Sequence, residues 1–530
     1  MKAAYYMDCH RDIYYYDETE INIGAGIKPI YENIIYASDK LYKSTKDSKY
    51  LENIFYAIES NKYQALWKKI KDRELYTHED MPDSLSIVVN KLLKEIREVN
   101  IDYIKSEERN SDEFIKLNTL KSSLAKLTND DFSYKFTSSR INLSAIEDVI
   151  TSKEVVIELF EGDSTCHGLL ISKDTTIYFS FQLNKIYLSA LSTYQHIIRG
   201  DELLLPLDLQ LKNYINCTQS ISEPFVELLL NNEIFNDVKS LTIIPDGVFT
   251  FLPFEALITA NDRSIIDFKL VPYFLKKWDI TYHISGKMLL ESRSSIPSNH
   301  KVNIKAVGPS EDAILFSAIE EIKHIKRRFG NKCLAVLDNQ RNVILIDQSN
   351  DKILHLASHA VIDTNNYNLS FLHFGDEKND SLKIYDYEIS NHKFQNALVV
   401  LNACETFQGK VYKGEGVYNL SQSFLIGGAS SVISTLWKIE DQSAAKLMTL
   451  FYENIKKGEA YEASLNLAKR SMLNEQVHAH PFFWASYLFN GESQTNFKKE
   501  KTVNRLVLLL AVSISLISLM YVINRKSKQA

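Results

Sequence analysis

From Ser240 to Leu436 the chain repeats one alternation: a short run rich in Val, Ile and Leu, then a segment with apolar residues three and four apart. The runs are Ser240–Ile244, Lys305–Val307, Ile353–Ala357, Ala397–Leu401 and Ser431–Leu436. The helical segments between and after them are Ser285–Glu291, Asp312–Arg328, Gly416–Ile426 and Gln442–Gly458. Strands separated by helices are not joined by hairpins, so this order predicts an α/β domain with a mostly parallel sheet and helices on both faces. Upstream, "VVIELFEG", "CHGLLISK" and "TTIYFSF" are β-branched and aromatic runs between turn residues. With helices expected at Leu183–Ile198 and Lys212–Leu230, they extend this domain over 150–492.

The N-terminal part has a different period. Beyond an N-terminal segment 1–27, residues 28–135 place apolar side chains at Ile30, Ile34, Ala37 and Leu41, at Leu51, Ile54, Phe55 and Ile58, and at Tyr63, Leu66, Trp67 and Ile70. Such spacing marks amphipathic helices, here separated by the turn "STKDSK". Met81-Pro82-Asp83-Ser84 opens a longer pattern from Leu85 to Ile104, and a further helix is expected over Ser111–Thr128. The expectation is an α-helical hairpin module that docks a protein or regulates the domain behind it.

The other end differs again. Leu506–Ile523, "LVLLLAVSISLISLMYVI", carries no charge and is apolar on every face. At about 1.5 Å rise per residue it spans roughly 27 Å, close to a bilayer's hydrocarbon thickness. Residues 493–505 are read as a linker and 506–523 as a single transmembrane helix. The first twenty residues hold Asp8, Asp12 and Asp17 and no apolar core segment, so they are not a signal peptide. Together these predict a membrane protein with one C-terminal anchor and its main domains in the cytosol. A net charge of −6 gives no electrostatic drive towards nucleic acid, and none is expected as a partner.

Cysteine is sparse and unpaired in pattern: Cys9, Cys166, Cys217, Cys333 and Cys404, with no C-x-x-C. That pattern fits a reducing compartment and predicts no metal site. P-loop, G-x-G-x-x-G and H-E-x-x-H motifs are absent too, so no cofactor is expected. Chemistry concentrates instead on two strand ends. "KILHLASHA" runs an apolar strand into Ser358-His359, and "LVVLNACET" runs another into Cys404. In open α/β sheets reactive groups gather beyond the carboxyl ends of strands. If these two strands are parallel neighbours, His359 and Cys404 emerge at one rim, where an imidazole raises the thiolate fraction of a cysteine. Backbone N–H groups of Ala360 and Cys404 would then face the oxyanion of an attacked carbonyl. The spacing also admits a plainer arrangement: a cysteine at a strand end is commonly buried and inert, and His355 shares a strand face with His359.

Five ordered stretches resemble a CHAT domain, the caspase-like module often found beside tetratricopeptide repeats. They are "LTIIPDGVFTFLPFEAL", "LHLASHA", "LNACET", "GEGVYNLSQSFLIGGASSVISTLWKIED" and "HPFFWASYLFNG", all within 240–492. The helices of 28–135 resemble tetratricopeptide hairpins less specifically. The resemblance implies a caspase- and separase-like cysteine endopeptidase with His359 as base and Cys404 as nucleophile, histidine first, as in caspases. It also implies a pocket for an arginine side chain, with Asp441 or Glu440 as its acid. Aspartate at the start of a helix equally suits an N-cap. Trp437 and Trp484 are candidates for the pocket wall or for core packing. Glu405, Asp363 and Glu415 read as solvated or structural, so no third catalytic acid is assigned. The expected partners are a protein substrate, an activating protein docked on the helices, and the membrane, in a prokaryotic defence or regulated-death setting. The rival reading is a scaffold or sensor that keeps the fold and signals by binding; a third is self-processing alone.

Overall fold

The computed structural model describes residues 17–63 and 141–492, apart from 263, 295–302, 310–315, 339, 346–351, 364–366, 376–378, 380–381, 403–408 and 413–415, together with scattered positions between 88 and 123. In chain order the strands are β1 (Glu154–Glu161), β2 (Thr165–Ile171), β3 (Thr176–Gln182), β4 (Ser240–Ile244), β5 (Asp279–Tyr282), β6 (Ile304–Val307), β7 (Cys333–Val336), β8 (Ile353–Ala357), β9 (His359–Val361), β10 (Phe371–His373), β11 (Lys383–Tyr385), β12 (Leu398–Asn402), β13 (Gly409–Tyr412), β14 (Gly416–Asn419), β15 (Ser431–Thr435) and β16 (Tyr487–Gly491). The principal helices are α1 (Asp17–Thr45), α2 (Lys49–Glu59), α3 (Lys185–Ile198), α4 (Leu207–Leu230), α5 (Gly286–Ser294), α6 (Phe316–Phe329), α7 (Leu420–Ile426), α8 (Asp441–Lys457) and α9 (Tyr461–Leu473).

Eleven strands form one sheet in the order β3-β2-β1-β4-β5-β16-β15-β12-β8-β6-β7. Strands β1, β4, β5 and β16 are mutually parallel, as are β15, β12, β8, β6 and β7. The antiparallel pair β15–β16 joins these two blocks, and β1–β2–β3 is an antiparallel edge. The expected mostly parallel sheet with flanking helices is what the chain forms. The central strands β8 and β12 are almost wholly buried, which explains why they read as unbroken apolar runs.

Side chains alternate between two faces. Ile353, Ala357, Leu398 and Val400 enter a core that includes Ile322 of α6, Phe451 of α8 and Leu465 of α9. Leu354, Leu356, Val399 and Leu401 point the other way, towards Leu420 and Phe424 of α7. Each large apolar side chain so buried contributes about 1.5–3 kcal/mol. Gly458, at φ 90°, ends α8 in the left-handed conformation that a side chain would resist, and its N–H bonds back to Ile455.

The first two helices are built into this sheet. Ile27, Tyr31 and Ile35 of α1 and Ile54, Phe55 and Ile58 of α2 share a core with Val156 and Phe160 of β1, Leu169 of β2 and Ile244 of β4. Beyond α2 a buried charge cluster locks the joint. Glu59 accepts from the N–H groups of Gly286 and Lys287 (2.7 and 3.0 Å), at the N-terminus of α5, where a carboxylate is favoured. Lys62 reaches Glu158 of β1 at 3.3 Å. Burial, then the charge of Glu59, pushes the Glu158 carboxyl well above its usual range.

Three expectations need correction or placement. The first helix begins at Asp17, inside what reads as an N-terminal segment. Gly416–Ile426 is not one helix: Gly416–Asn419 pairs antiparallel with β13, and α7 starts only where the Asn419 side chain accepts from the Gln422 N–H. A β-branched and an aromatic residue, Val417 and Tyr418, suit a strand, and asparagine suits the cap. Among the described residues no helix is long and apolar enough to cross a membrane; the segment 506–523 lies outside them, as does most of 64–135.

Two predictions follow from buried charge. Burial pushes the His480 imidazole down to about 3 and His167 down to about 4, so both are neutral in the folded chain. The unfolded chain takes up these protons near 6.5, so the stabilisation is complete above that pH and is lost as pH falls towards 4. The urea midpoint should therefore drop between about pH 7.5 and about pH 5, and the drop should be smaller in His480→Asn, which retains an acceptor for the Phe482 N–H. Lys469 and Glu255 form a fully buried ion pair at 2.6 Å. Lys469→Ala strands the carboxylate and should cost about 3–5 kcal/mol by denaturant unfolding, whereas Lys469→Met with Glu255→Leu should recover most of it.

Candidate active site

Strands β8 and β12 lie side by side and parallel, with Ala357 opposite Asn402. Beyond Ala357 the chain passes Ser358 and enters β9, which leaves the main sheet and joins the small antiparallel sheet β11–β10–β9. His359 therefore stands just past the carboxyl end of β8, on the rim where β12 ends. Cys404 follows Asn402 by two residues and, with its backbone N–H, lies outside the described residues. Ala360 is the middle residue of β9, opposite Leu372.

A pocket of about 80 Å³ opens on this rim, lined among others by Glu321, Ser358, His359, Asn402, Trp437 and Asp441. Its floor is a polar network. Glu321, on α6 and only 8% exposed, accepts from the Asn402 side-chain amide at 2.6 Å. Tyr487 donates its hydroxyl to the amide oxygen of Asn402 at 2.5 Å. The two bonds use both ends of the amide and so orient the last residue of β12. Behind Glu321 sits His355, fully buried, with Nδ1 2.9 Å from the Tyr452 hydroxyl and Nε2 3.3 Å from Glu321 Oε1, off the hydrogen-bonding direction. Burial, then the charge of Glu321, holds the Tyr452 phenol well above its ordinary value, so it stays protonated. The Ser358 hydroxyl is buried without a hydrogen-bond partner among the described residues.

The candidates named from sequence separate clearly. His359, Asp441 and Trp437 share the pocket. Glu440 does not line it: its exposed carboxylate accepts from Ser443 at 3.0 Å. Glu440 also holds the cap position of α8, and Asp441 is the first helical residue, so the expected N-cap falls one residue earlier; neither side chain bonds the helix backbone as a cap. Asp441 instead accepts from Ser317 of α6 at 2.8 Å. Trp484 is core, packed edge-on against Tyr273 at 5.2 Å. His355 is a core histidine, fully buried on β8. Asp363 has its backbone N–H on the Ser370 hydroxyl, while Glu405 and Glu415 lie outside the described residues.

Two residues near the rim carried no sequence signal. Glu321 lies in "EEIKHIKRR", where its neighbour Glu320 is as acidic; only packing selects the one that turns inward. His373 sits opposite His359 on β10, a pairing visible only once the strands are aligned. Elsewhere, burial pushes the Cys217 thiol up to about 12 and Cys166 well above its usual value, so neither is a nucleophile at ordinary pH. Among the described residues no group of three or more His, Cys, Asp and Glu side chains is placed to hold a metal.

Comparison with known proteins gives the following. Residues 218–492 match the CHAT domain family. Tetratricopeptide repeat protein 28 of Mus musculus and of Homo sapiens are each 29% identical over 94 residues, which is 18% of this chain and 4% of theirs. Among solved structures, the separase–securin complex of Saccharomyces cerevisiae aligns with 84% of this chain and 40% of that one, at a TM-score of 0.43 and 11% identity. The pro- and mature domains of RgpB from Porphyromonas gingivalis align with 59% of this chain and 78% of that one, at 0.33 and 11%. The family match covers more than half of the residues: the chain belongs to the CHAT domain family.

Proposed function

We propose that the protein is a cysteine endopeptidase in which Cys404 is the nucleophile and His359 the general base. The observation that supports this reading is the parallel register of β8 and β12, Ala357 beside Asn402, which starts Ser358-His359 and the chain towards Cys404 from the same rim, next to a pocket that His359 lines. The imidazole takes the thiol proton; the thiolate attacks a peptide carbonyl; the tetrahedral oxyanion is met by backbone N–H groups, those of Ala360 and Cys404 being the candidates. His359 returns the proton to the leaving amine, and water releases the acyl group from its thioester. No metal or organic cofactor takes part in this scheme.

The pocket's two carboxylates, Glu321 and Asp441, favour a cationic residue before the cut bond, arginine above lysine because its planar fork pairs with carboxylates. Regulation through the N-terminal helices is part of the proposal. Tyr63, just past α2, is buried, and its hydroxyl accepts from the Val417 N–H at 3.3 Å, on the strand that closes the stretch bearing Cys404. A protein docked on residues 28–135 would act through that contact. On this reading 506–523 anchors the chain in a membrane with the main domains cytosolic. Gly491 pairs with Ser431 at the start of β15, so the described chain ends on the rim opposite His359. The substrate is a specific cellular protein, and a prokaryotic defence or regulated-death pathway is the proposed setting.

Comparing new protein N-termini in cells carrying the native chain and Cys404→Ala should reveal cleavages present only with the native chain, most of them after Arg or Lys. Identical N-terminal profiles, with the biological response retained by Cys404→Ala, would mean that the fold signals by binding alone. For a peptide made from a mapped site, Asp441→Asn should lower kcat/KM about tenfold or more, mainly through KM, as one lost charge-assisted contact predicts.

A further inference from the structure

The candidate pocket has a neighbour. Between α6 and α8 lies a groove of about 370 Å³, lined among others by Ser317, Glu321, Asp441, Ala445, Met448 and Tyr452. Ser317, Glu321, Asp441 and Ala445 line the pocket of about 80 Å³ as well, so the two cavities share a wall. That wall is built from two pairs at helical spacing, Ser317 and Glu321 on α6, Asp441 and Ala445 on α8. Ala445 is too small to fill the space between the helices. A hydrogen bond spans it instead: the Ser317 hydroxyl donates to Oδ2 of Asp441 at 2.8 Å. Both residues are exposed, and among the described residues neither side chain makes a second hydrogen bond. A lone exposed carboxylate turns freely about its side-chain torsions. The bond to Ser317 removes that freedom before any ligand arrives, and a group ordered in advance binds more tightly than one that is ordered on binding. Oδ1 remains as an acceptor for a second donor.

We infer that Ser317 is a positioning residue for Asp441: its hydroxyl holds the carboxylate in the wall between pocket and groove, with one oxygen left to pair with a cationic substrate side chain. Glu321, on the same helix as Ser317, is already fixed through Asn402. Ser317 fixes the second carboxylate against the first. Two carboxylates held at a set separation suit a planar guanidinium, whose N–H groups point in fixed directions, better than a mobile pair does. The inference rests on the reading of this pocket as the place of a basic substrate side chain.

The test needs no cleavage. Dissociation constants of butylguanidinium, which reproduces the arginine side chain, and of neutral butylurea are measured on the full chain by saturation-transfer NMR. The native chain should bind butylguanidinium at least about tenfold more tightly than Asp441→Asn does, the effect of one charge-assisted bond. Ser317→Ala should weaken binding about three- to tenfold, and Ser317→Thr, which keeps the hydroxyl, should stay within about twofold of native. Added to Asp441→Asn, Ser317→Ala should change the constant by less than about twofold, because a residue that acts only through Asp441 has nothing left to act on. Both positions are exposed, so the variants should melt with the native chain. Native affinity in Ser317→Ala, a Thr variant as weak as the Ala variant, or the same loss with and without Asp441 overturns the role of Ser317 and leaves the pocket reading standing. A native chain that binds butylguanidinium no more tightly than Asp441→Asn does, or no more tightly than it binds butylurea, overturns both. Failure of the cleavage scheme itself shows separately, in the N-terminal profiles of the native and Cys404→Ala chains.

Discussion

The backbone ladder between β8 and β12 is the constraint on which the site depends. Its parallel hydrogen bonds set Ala357 beside Asn402, and no side chain has to bring the two strand ends together. Because the two faces of this pair belong to different cores, a slip of one residue would turn Leu354, Leu356, Val399 and Leu401 out of one core and into the other. The register, and with it the rim, is held by apolar packing on both sides at once.

Polar groups then refine what the ladder sets. Glu321 and Tyr487 hold the Asn402 amide from opposite ends, and His355 and Tyr452 pair in the layer behind. These groups sit in a poorly solvated place, where an unmade bond is expensive and a made one is rigid. The same carboxylate that orients the strand end is also a wall of the pocket, so shape and charge at the rim are linked through one residue. The small β9–β10–β11 sheet supplies the second support: it turns His359 off the main sheet and sets His373 and Lys383 in line with it.

The N-terminal helices complete the sheet rather than stand apart from it. α1 and α2 cover the face of β1, β2 and β4, and the Glu59, Lys62 and Glu158 cluster closes the joint. Because these groups have given up water, such a cluster adds little net stability, while removing one member of it is costly. It brings Tyr63 against β14, whose Val417 N–H donates to the tyrosine hydroxyl, so the helical segment touches that strand directly.

Much of this was readable before any coordinates. Buried parallel strands are short runs of branched apolar residues between breakers, so Ser240–Ile244 and Ile353–Ala357 could be bounded from sequence alone, and the order His359 then Cys404 followed. The strand Gly416–Asn419 was misread because Val417 and Leu420 keep helical spacing, and only the pairing with β13 distinguishes the two. Glu321 and His373 were invisible for a related reason. Which of two adjacent glutamates turns inward, and which histidine meets His359, depends on surfaces contributed by residues distant in sequence. Hydrophobic pattern is local and determined the elements, their order and the two strand ends that carry the candidate residues. The strand neighbours, the buried carboxylate and the paired imidazoles were decided only by tertiary packing, because desolvation and register are properties of the assembled sheet and not of any segment in it.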